Sequence, residues 1–272
     1  MSRERADLAL AVAREAGALI TAERARGVAV AATKTTDIDI VTETDRAAEA
    51  LIRDRLASVR PDDALLGEEG DDVPGTSGVR WVIDPIDGTV NFLYGLPNYA
   101  VSIAAERDGE AVAGCVLNVA AGTAYLGWVD DAGVAHATRD GVVLAGPAPQ
   151  PLEKMLVATG FSYDREVRAV QAEAVLHLLP RVRDLRRLGS CALDLCHVAE
   201  GLLDAYVEEG VNLWDHAAGG LIARAAGART EIAPGAGGLT LLIAAPDGVF
   251  DDFRGLIAQC GFIAGEGPHT AA

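Results

Sequence analysis

Residues 81–92 read Trp81-Val82-Ile83-Asp84-Pro85-Ile86-Asp87-Gly88-Thr89-Val90-Asn91-Phe92, an apolar run that leads into two carboxylates, a proline and a glycine. An apolar run of this kind predicts a strand whose packing holds its end rigidly. Two aspartates fixed at that end cannot stay ionised side by side unless a cation neutralises them or one keeps its proton. The stretch therefore predicts a metal site or a carboxyl group with a shifted pKa.

Two further segments place carboxylates at the ends of predicted elements. Gly67-Glu68-Glu69-Gly70 follows the short apolar run Ala64-Leu65-Leu66, and Trp214-Asp215 opens a long stretch of small residues. Oxygen ligands of this kind suit a hard cation such as Mg²⁺ or Mn²⁺, whereas a zinc site would show His or Cys at short, regular spacing. The five histidines are scattered along the chain, so magnesium or manganese is the better prediction.

Composition limits the classes of protein that the chain can represent. The 272 residues are 50% hydrophobic and 23% charged, which predicts one large or two closely joined globular domains. Lys and Arg number 23 against 40 Asp and Glu, so the net charge is −17. Such a surface repels nucleic acid and anionic membranes, and it also makes cations necessary for binding a phosphorylated substrate. We therefore expect a small-molecule substrate and neither a nucleic acid nor a membrane partner.

Cysteine use and the N-terminal residues predict a cytoplasmic protein. The four cysteines form no Cys-x-x-Cys pair and no short disulfide framework, so we expect reduced, mostly buried thiols. The apolar stretch 8–20 is interrupted by Arg14 and Glu15, and no apolar run approaches the ~18 residues of a membrane span.

The first half of the chain changes from helical to strand periodicity. Apolar residues at helical spacing predict one helix that ends near Gly27 and a second over 45–59. Between residues 98 and 144, strands separated by Gly-containing turns predict an antiparallel meander. Its strands are expected at 99–106, 111–119, 124–129 and 134–138.

The second half is predicted to alternate between strands and helices after a linker. Residues 146–151 contain three prolines, which fit neither the interior of a helix nor a sheet. The sequence thus predicts an N-terminal α+β domain over 1–146, with the metal and phosphate motifs, and a C-terminal α/β domain over 152–265 that supplies Asp215. Strands are expected at 155–159, 204–207 and 239–244, and helices at 165–182, 193–201, 215–226 and 249–259.

The motifs together resemble the inositol monophosphatase family of metal-dependent phosphatases. Asp84-Pro85-Ile86-Asp87-Gly88-Thr89 is similar to the first family motif, and Leu213-Trp214-Asp215-His216-Ala217-Ala218-Gly219 is similar to the second. Lys34, the segment 39–45 and Gly67-Glu68-Glu69 follow the order and spacing of the family, so the likeness covers nearly the whole chain. It implies a mixed α/β fold, a layered αβαβα sandwich of the inositol monophosphatase and fructose-1,6-bisphosphatase type. It also implies a homodimer and inhibition by lithium.

The resemblance implies a site for two or three Mg²⁺ ions, with Mn²⁺ as a possible substitute. Glu68, Asp84, the Ile86 carbonyl, Asp87 and Asp215 would be the metal ligands. Asp45, Glu68 and Thr89 would be the catalytic residues, with Thr89 and Asp45 orienting or deprotonating a metal-activated water. From the residues alone, Glu68, Glu69 and Asp87 could instead be solvated loop acids, Thr89 an N-cap hydroxyl and Asp45 an acid in a first helical turn.

Substrate contacts are also implied by the resemblance. The backbone N–H groups of Gly88 and Thr89 would bind phosphate oxygens, and the loop Gly189-Ser190-Cys191 with Glu208 would hold the polyol. Ser190 could equally be a helix N-cap, Glu208 a solvated turn acid and Lys34 a loop lysine. The full expected set of substrate contacts is Lys34, Asp87, Gly88, Thr89, Gly189, Ser190, Cys191, Glu208 and Asp215.

The implied activity is hydrolysis of inositol 1-phosphate and related polyol phosphates to inositol and phosphate. Relatives with the same metal motifs act on fructose 1,6-bisphosphate, histidinol phosphate or 3′-phosphoadenosine nucleotides, and these substrates remain open. Phosphatases of the haloacid dehalogenase type carry Asp-x-Asp-Gly-Thr, one residue shorter than the motif here, which places the first aspartate differently along a strand. A non-catalytic regulatory protein on the same fold is a further alternative.

Overall fold

The computed structural model describes residues 2–27, 30–33 and 40–266. The helices are α1 (Ser2–Arg26), α2 (Glu43–Val59), α3 (Thr89–Tyr94), α4 (Arg165–Leu178), α5 (Cys191–Glu200), α6 (Leu213–Ala225) and α7 (Phe250–Gln259). The first nine strands are β1 (Val30–Thr33), β2 (Ile40–Thr42), β3 (Ala64–Gly67), β4 (Val79–Asp87), β5 (Ala100–Arg107), β6 (Glu110–Asn118), β7 (Thr123–Val129), β8 (Ala135–Arg139) and β9 (Val142–Val143). The others are β10 (Leu156–Thr159), β11 (Asp184–Arg186), β12 (Ala205–Glu209), β13 (Ala228–Pro234) and β14 (Thr240–Pro246).

Local sequence signals explain where the first two helices begin and end. α1 ends before Gly27, whose φ of 104° is a left-handed conformation that glycine adopts without steric cost. α2 begins after Thr42, because the Thr42 side chain and the Asp45 carboxylate cap each other's backbone N–H groups. Both predicted helices are confirmed, and α2 starts two residues earlier than expected.

A seven-stranded sheet with the order β3-β4-β5-β6-β7-β8-β9 contains the predicted meander. Only the β3–β4 pair in it is parallel. β4 carries a bulge, because Asp84 pairs with Ser102 and Asp87 with Ala100, so the β4 segment is one residue longer than its β5 partner. Pro85, which has no N–H to donate, lies within the bulge. Residues three apart on a regular strand face opposite sides, and the extra residue lets Asp84 and Asp87 face the same side.

A five-stranded sheet with the order β11-β10-β12-β14-β13 forms the second half. β10 lies parallel to β11 and β12, whereas β14 is antiparallel to β12 and β13. The predicted strands and helices of this half are present with shifted ends. The helix expected over 165–182 stops at Leu178, and a short 3₁₀ turn that contains Pro180 follows. β11 and β13 were not predicted, because both are short or polar edge strands with weak alternation.

Five layers follow from the packing of these elements. α1 and α2 form an apolar core with one face of the seven-stranded sheet. α5 and α6 lie between the two sheets and contact both of them. α4 and α7 cover the outer face of the five-stranded sheet. The structure therefore confirms the mixed α/β fold and the αβαβα layering.

The proline-rich segment 146–151 contains neither helix nor strand, as expected. The division into domains at 1–146 and 152–265 stays a prediction, since α5 and α6 share a core with the first sheet. Within the described part of the chain, no helix has the length and apolar character needed to cross a membrane.

Candidate metal and phosphate site

A cavity of about 450 Å³ lies where the end of β4, the start of α5, the start of α6 and the end of β12 meet. It brings together most of the residues that the sequence analysis singled out, although these are far apart in the chain. Its lining includes Glu68, Asp84, Ile86, Asp87, Gly88, Thr89, Gly189, Ser190, Cys191, Glu208 and Asp215.

Asp84 is a buried carboxyl group surrounded by other acids. Its side chain is 1% exposed, and Oδ1 accepts a hydrogen bond from the Ile86 N–H at 3.0 Å. Burial raises the pKa of Asp84 well above its usual range, and the charges of Glu68, Asp87 and Asp215 raise it further. The aspartate at the bulge therefore lies in the environment that its sequence context predicts.

Asp87 connects the metal motif to the second half of the chain. Its Oδ2 accepts hydrogen bonds from Ser190 Oγ at 2.5 Å and from the Ala192 N–H at 2.7 Å. Burial raises the pKa of Asp87 to about 6 against the opposing effect of these two hydrogen bonds, and the charge of Glu208 adds to the rise. The carboxylate is thus fixed in place by the first turn of α5, and it is not a solvated loop acid.

Asp215 approaches from the first turn of α6. The Asn212 N–H donates to Asp215 Oδ2 at 2.6 Å, within a capping box that fixes the start of the helix. Burial raises the pKa of Asp215 well above normal, as does the charge of Asp87. Burial without a counter-charge is costly for a carboxylate, so this donor set fits a hard cation. The described side chains do not already form a group of three or more ligands around one point.

Thr89 and Asp45 form a hydrogen-bonded pair beside these acids. Thr89 Oγ1 lies 3.2 Å from Asp45 Oδ1 and 3.0 Å from the Ile86 carbonyl oxygen. Burial raises the pKa of Asp45 to about 6, although hydrogen bonds from Thr42 oppose the rise. The N-cap of α3 is Gly88, not Thr89, and Asp45 both caps α2 and contacts Thr89.

The turn at Gly88 requires glycine for two reasons. Its φ is 95°, and a Cβ atom there would lie 3.0 Å from the carbonyl oxygens of Asn98 and Gly189. Asn91 holds the same segments together, because its Nδ2 donates to the Asn98 and Leu188 carbonyls, each at 2.7 Å. The motif is therefore packed directly against the segment 188–190.

Ser190 and Cys191 begin α5. Ser190 is the N-cap of α5 and its Oγ accepts from the Leu193 N–H at 3.3 Å, so the alternative capping role is present together with the contact to Asp87. The Cys191 thiol lines the cavity, and burial together with the charge of Asp87 raises its pKa, which argues against a nucleophilic thiolate. All four cysteines are buried and free.

Glu208 enters the cavity from β12, and it is not a solvated turn acid. Tyr206 Oη donates to Glu208 Oε2 at 2.8 Å. Burial raises the pKa of Glu208, whereas the Tyr206 hydrogen bond and the charge of Arg187 lower it. A Cβ atom on Gly160 would lie 2.0 Å from the Glu208 carboxylate, so the missing side chain at 160 makes room for it.

Sequence reasoning missed two ionisable residues, one that lines the cavity and one that is buried in α5. Arg187 lines the cavity. The sequence feature that could have indicated it is a basic residue two positions before Gly189. Asp194 is 1% exposed, neither of its oxygens accepts a hydrogen bond from the described residues, and burial raises its pKa. Nothing in the local sequence distinguishes Asp194 from an exposed helical acid. Lys34 lies outside the described residues.

Comparisons with known proteins agree with this geometry. Residues 1–261 match the inositol monophosphatase family. The chain is 50% identical over 228 residues to the inositol-1-monophosphatase SuhB of Mycobacterium tuberculosis, covering 80% of this chain and 78% of that protein. It is 36% identical over 223 residues to the Nus factor SuhB of Escherichia coli, covering 81% and 82%.

A solved structure supports the same assignment. The structure of Mycobacterium tuberculosis SuhB superposes with a TM-score of 0.81 at 43% identity, covering 96% of this chain and 98% of that one. The fold, the motifs and the relatives therefore agree. The chain belongs to the inositol monophosphatase family, whose members are generally metal-dependent phosphatases.

Proposed function

We propose that this protein hydrolyses inositol 1-phosphate and related polyol phosphates to the free alcohol and phosphate, with Mg²⁺ as its cofactor. The observation that carries the proposal is the convergence of buried, mutually repelling carboxylates beside the Thr89–Asp45 pair in one cavity. Buried acids that lie among several other acids fit a bound cation, and a hydroxyl paired with a carboxylate supplies a route for a proton.

Glu68, Asp84, the Ile86 carbonyl, Asp87 and Asp215 would hold two or three Mg²⁺ ions, or Mn²⁺ in their place. Bound Mg²⁺ would lower the pKa of a coordinated water and neutralise charge on the phosphate and on the departing oxygen. The buried acids fit such ions, because burial and the charges of neighbouring acids both disfavour the ionised carboxylates and a cation would offset both effects.

The residues of the chain then move one proton and hold the two ends of the substrate. Thr89 Oγ1 donates to Asp45 Oδ1, so the hydroxyl accepts a proton from the attacking water while Asp45 takes the hydroxyl proton. The water oxygen forms a bond to phosphorus, and the ester P–O bond breaks with its electron pair passing to the alcohol oxygen. That oxygen takes a proton from solvent, and no phosphoenzyme forms.

We assign the phosphate end of the substrate to Gly88, Thr89 and Lys34. The polyol end would contact Gly189, Ser190, Cys191 and Glu208, with Asp87 and Asp215 between the two ends. Glu208 is suited to accept hydrogen bonds from neighbouring hydroxyl groups, because Tyr206 and Gly160 fix its carboxylate inside the cavity.

A panel of phosphate esters tests this proposal. Phosphate release is measured from inositol 1-phosphate, fructose 1,6-bisphosphate, histidinol phosphate and 3′-phosphoadenosine 5′-phosphate, each with Mg²⁺, with EDTA and with lithium. We expect the highest kcat/KM for inositol 1-phosphate, no release in EDTA and inhibition by millimolar lithium. Release that is independent of metal, or that occurs with none of the esters, would contradict the proposal.

A regulatory role is the second candidate, because one relative is named Nus factor SuhB. The presence of all the expected acids together with the Thr89–Asp45 pair favours catalysis, since a scaffold would not need them. Absence of hydrolysis in a folded, Mg²⁺-binding protein would favour the regulatory role.

We also propose a homodimer of two-domain chains in the cytoplasm. The family resemblance supports the dimer, and the four free cysteines fit a reducing compartment. Sedimentation of the purified protein tests the dimer, and limited proteolysis near residues 146–151 tests the division between 1–146 and 152–265.

A further inference from the structure

The loop that carries Glu68 is held by a buried side chain of α2. Glu49 is only 2% exposed. Its Oε2 accepts a hydrogen bond from the Glu69 N–H at 2.8 Å, and its Oε1 accepts one from the Gly70 N–H, also at 2.8 Å. Because one carboxylate accepts from two successive N–H groups, it fixes the path of the loop backbone.

Arg53 adds to this contact from the next turn of α2. Its Nε donates to Glu49 Oε1 at 2.7 Å, so the buried carboxylate has a partner of opposite charge. Its Nη1 and Nη2 donate to the carbonyl oxygens of Asp71 and Gly70 at 2.9 and 3.1 Å. The Glu49–Arg53 pair therefore binds both N–H groups and carbonyl groups of the same loop.

The close approach of Glu49 to the loop requires glycine at two positions. A Cβ atom on Gly67 would lie 2.3 Å from Glu49 Oε1, and a Cβ atom on Gly70 would lie 2.9 Å from the same oxygen. Neither position could carry a side chain unless the carboxylate moved. The loop therefore fits Glu49 in shape as well as in hydrogen bonding.

The backbone of Glu68 is held on both sides as a result. Its own N–H donates to the Ile83 carbonyl on β4 at 3.2 Å, and the next N–H along the chain, that of Glu69, donates to Glu49. Glu68 lines the cavity. Burial raises the pKa of Asp84 and the charge of Glu68 raises it further, so the two carboxylates are neighbours. The side chain of Glu68 thus reaches the other acids from a fixed backbone.

The same helix also carries Asp45, one turn before Glu49. Positions four apart lie on one face of a helix, so Asp45, Glu49 and Arg53 form a row along α2. At the start of this row Asp45 contacts Thr89, and one turn later Glu49 holds the loop of Glu68. α2 therefore sets the position of the Thr89–Asp45 pair relative to that loop.

We infer that Glu49 is a positioning residue that holds Glu68 in place as a metal ligand and thereby sets the affinity for Mg²⁺. The inference rests on the proposed metal-dependent activity and adds a residue to its site. Removal of a group that orients a metal ligand lowers metal affinity about 10–100-fold. Glu49 does not itself line the cavity, so we expect its replacement to change metal binding and not substrate binding.

Glu49→Gln tests the inference, because the amide keeps the size of the side chain but loses its charge and presents a donor to one of the two loop N–H groups. The Mg²⁺ concentration for half-maximal hydrolysis of inositol 1-phosphate should rise about tenfold or more. At saturating Mg²⁺, kcat should stay within about threefold and KM within about twofold of the wild type. Calorimetric titration of the substrate-free protein with Mg²⁺ should show the same loss of affinity.

Glu106→Gln is the matched control. Glu106 is also a buried acid with an arginine partner, because Arg80 Nε and Nη2 donate to its Oε2 at 3.0 and 2.5 Å. It lies on β5 four residues beyond Ser102, the residue that pairs with Asp84. Both variants should lower the melting temperature of the metal-free protein, but Glu106→Gln should leave the affinity for Mg²⁺ unchanged.

Combination with Glu68→Gln separates positioning from a general structural role. If Glu49 acts through Glu68, Glu49→Gln should change the calorimetric Mg²⁺ affinity less than about twofold in the Glu68→Gln background. The full loss of affinity in that background would overturn the inference. An unchanged affinity in Glu49→Gln alone, or an equal loss in Glu106→Gln, would also overturn it.

Arg53→Gln tests the inference if Glu49→Gln does not fold. It removes the contacts to the loop carbonyls and the partner of Glu49, so the Mg²⁺ affinity should fall about threefold or more. An unchanged affinity in this variant would overturn the inference. A wild type that binds Mg²⁺ but hydrolyses no ester would contradict the proposed function, whereas the calorimetric comparison would still decide the role of Glu49.

Discussion

The two ends of the cavity differ in the charges that surround their buried carboxylates. At the metal end, burial raises the pKa values of Asp84 and Asp215, and the charges of neighbouring acids raise them further. At the alcohol end, Glu208 accepts a hydrogen bond from Tyr206 and is influenced by the positive charge of Arg187. The comparison indicates that the first end is suited to bind a cation, whereas the second end already has a positive charge close to its carboxylate.

The largest effect should follow from changing the metal end. Replacing Asp84 by Asn should lower Mg²⁺-dependent phosphate release from inositol 1-phosphate by about 10³-fold or more, because a ligand and its charge are lost. The same change should raise the melting temperature of the metal-free protein by about 2–4 °C, because acid–acid repulsion is relieved. Asp54→Asn, at an exposed acid on α2, is the control and should change neither quantity. An Asp84→Asn variant that loses both activity and metal-free stability would indicate a structural role instead.

The proton-transfer pair should give the next largest effect. Thr89→Ala removes the hydroxyl that contacts Asp45 and the Ile86 carbonyl, and kcat should fall about 10²-fold. Thr89→Ser keeps the hydroxyl and should retain activity within about threefold. Steady-state kinetics on inositol 1-phosphate at saturating Mg²⁺ measures both variants. Equal losses in the two would exclude the hydroxyl as the active group.

The alcohol end should show a smaller and more selective effect. Gly160→Ala places a Cβ atom where the Glu208 carboxylate lies, so kcat/KM for inositol 1-phosphate should fall about tenfold. Hydrolysis of p-nitrophenyl phosphate, which has no polyol, should change less than about twofold. Gly255→Ala is the control, since nothing lies within 4 Å of a Cβ atom there. A parallel loss on both substrates would place the effect of Gly160→Ala at the metal end.

The smallest effect concerns the stability of the metal-free protein as a function of pH. The pKa of Asp45 is about 6 in the folded protein against an ordinary 3.8, so the folded state holds a proton that the unfolded state has released between these values. The contribution of Asp45 to stability is therefore fully present below pH 3.8 and is lost as the pH rises to about 6.

Melting curves of Asp45→Asn and wild type in EDTA test this effect. The difference in melting temperature, variant minus wild type, should become more positive between pH 4 and pH 6 and then level off, because only the wild type has the loss of stability that comes from Asp45. Glu43→Gln, an exposed acid in the same first turn, should show a pH-independent difference. A difference that is flat for Asp45→Asn as well would contradict burial of that carboxylate.

Much of the fold could be predicted from local signals. The Gly27 stop, the helical spacing of apolar residues over 45–59 and the turns between β5 and β8 are local features, so the first two helices and the meander were predicted with small shifts. The edge strands β11 and β13 were not predicted. Their conformation depends on pairing with β10 and β14. The packing of α5 and α6 between the sheets was expected only through the family resemblance.

The sequence by itself determined which chemistry the protein carries. The Asp84–Thr89 motif, Glu68 and Trp214-Asp215 indicate hard-cation ligands, because residue type and local spacing are properties of the chain. The tertiary structure decided how those groups meet: the bulge at Pro85 puts Asp84 and Asp87 on one face, and Gly160 admits Glu208. It also brought Arg187 beside Glu208 and buried Asp194, because burial and charge neighbours depend on contacts between segments that are distant in sequence.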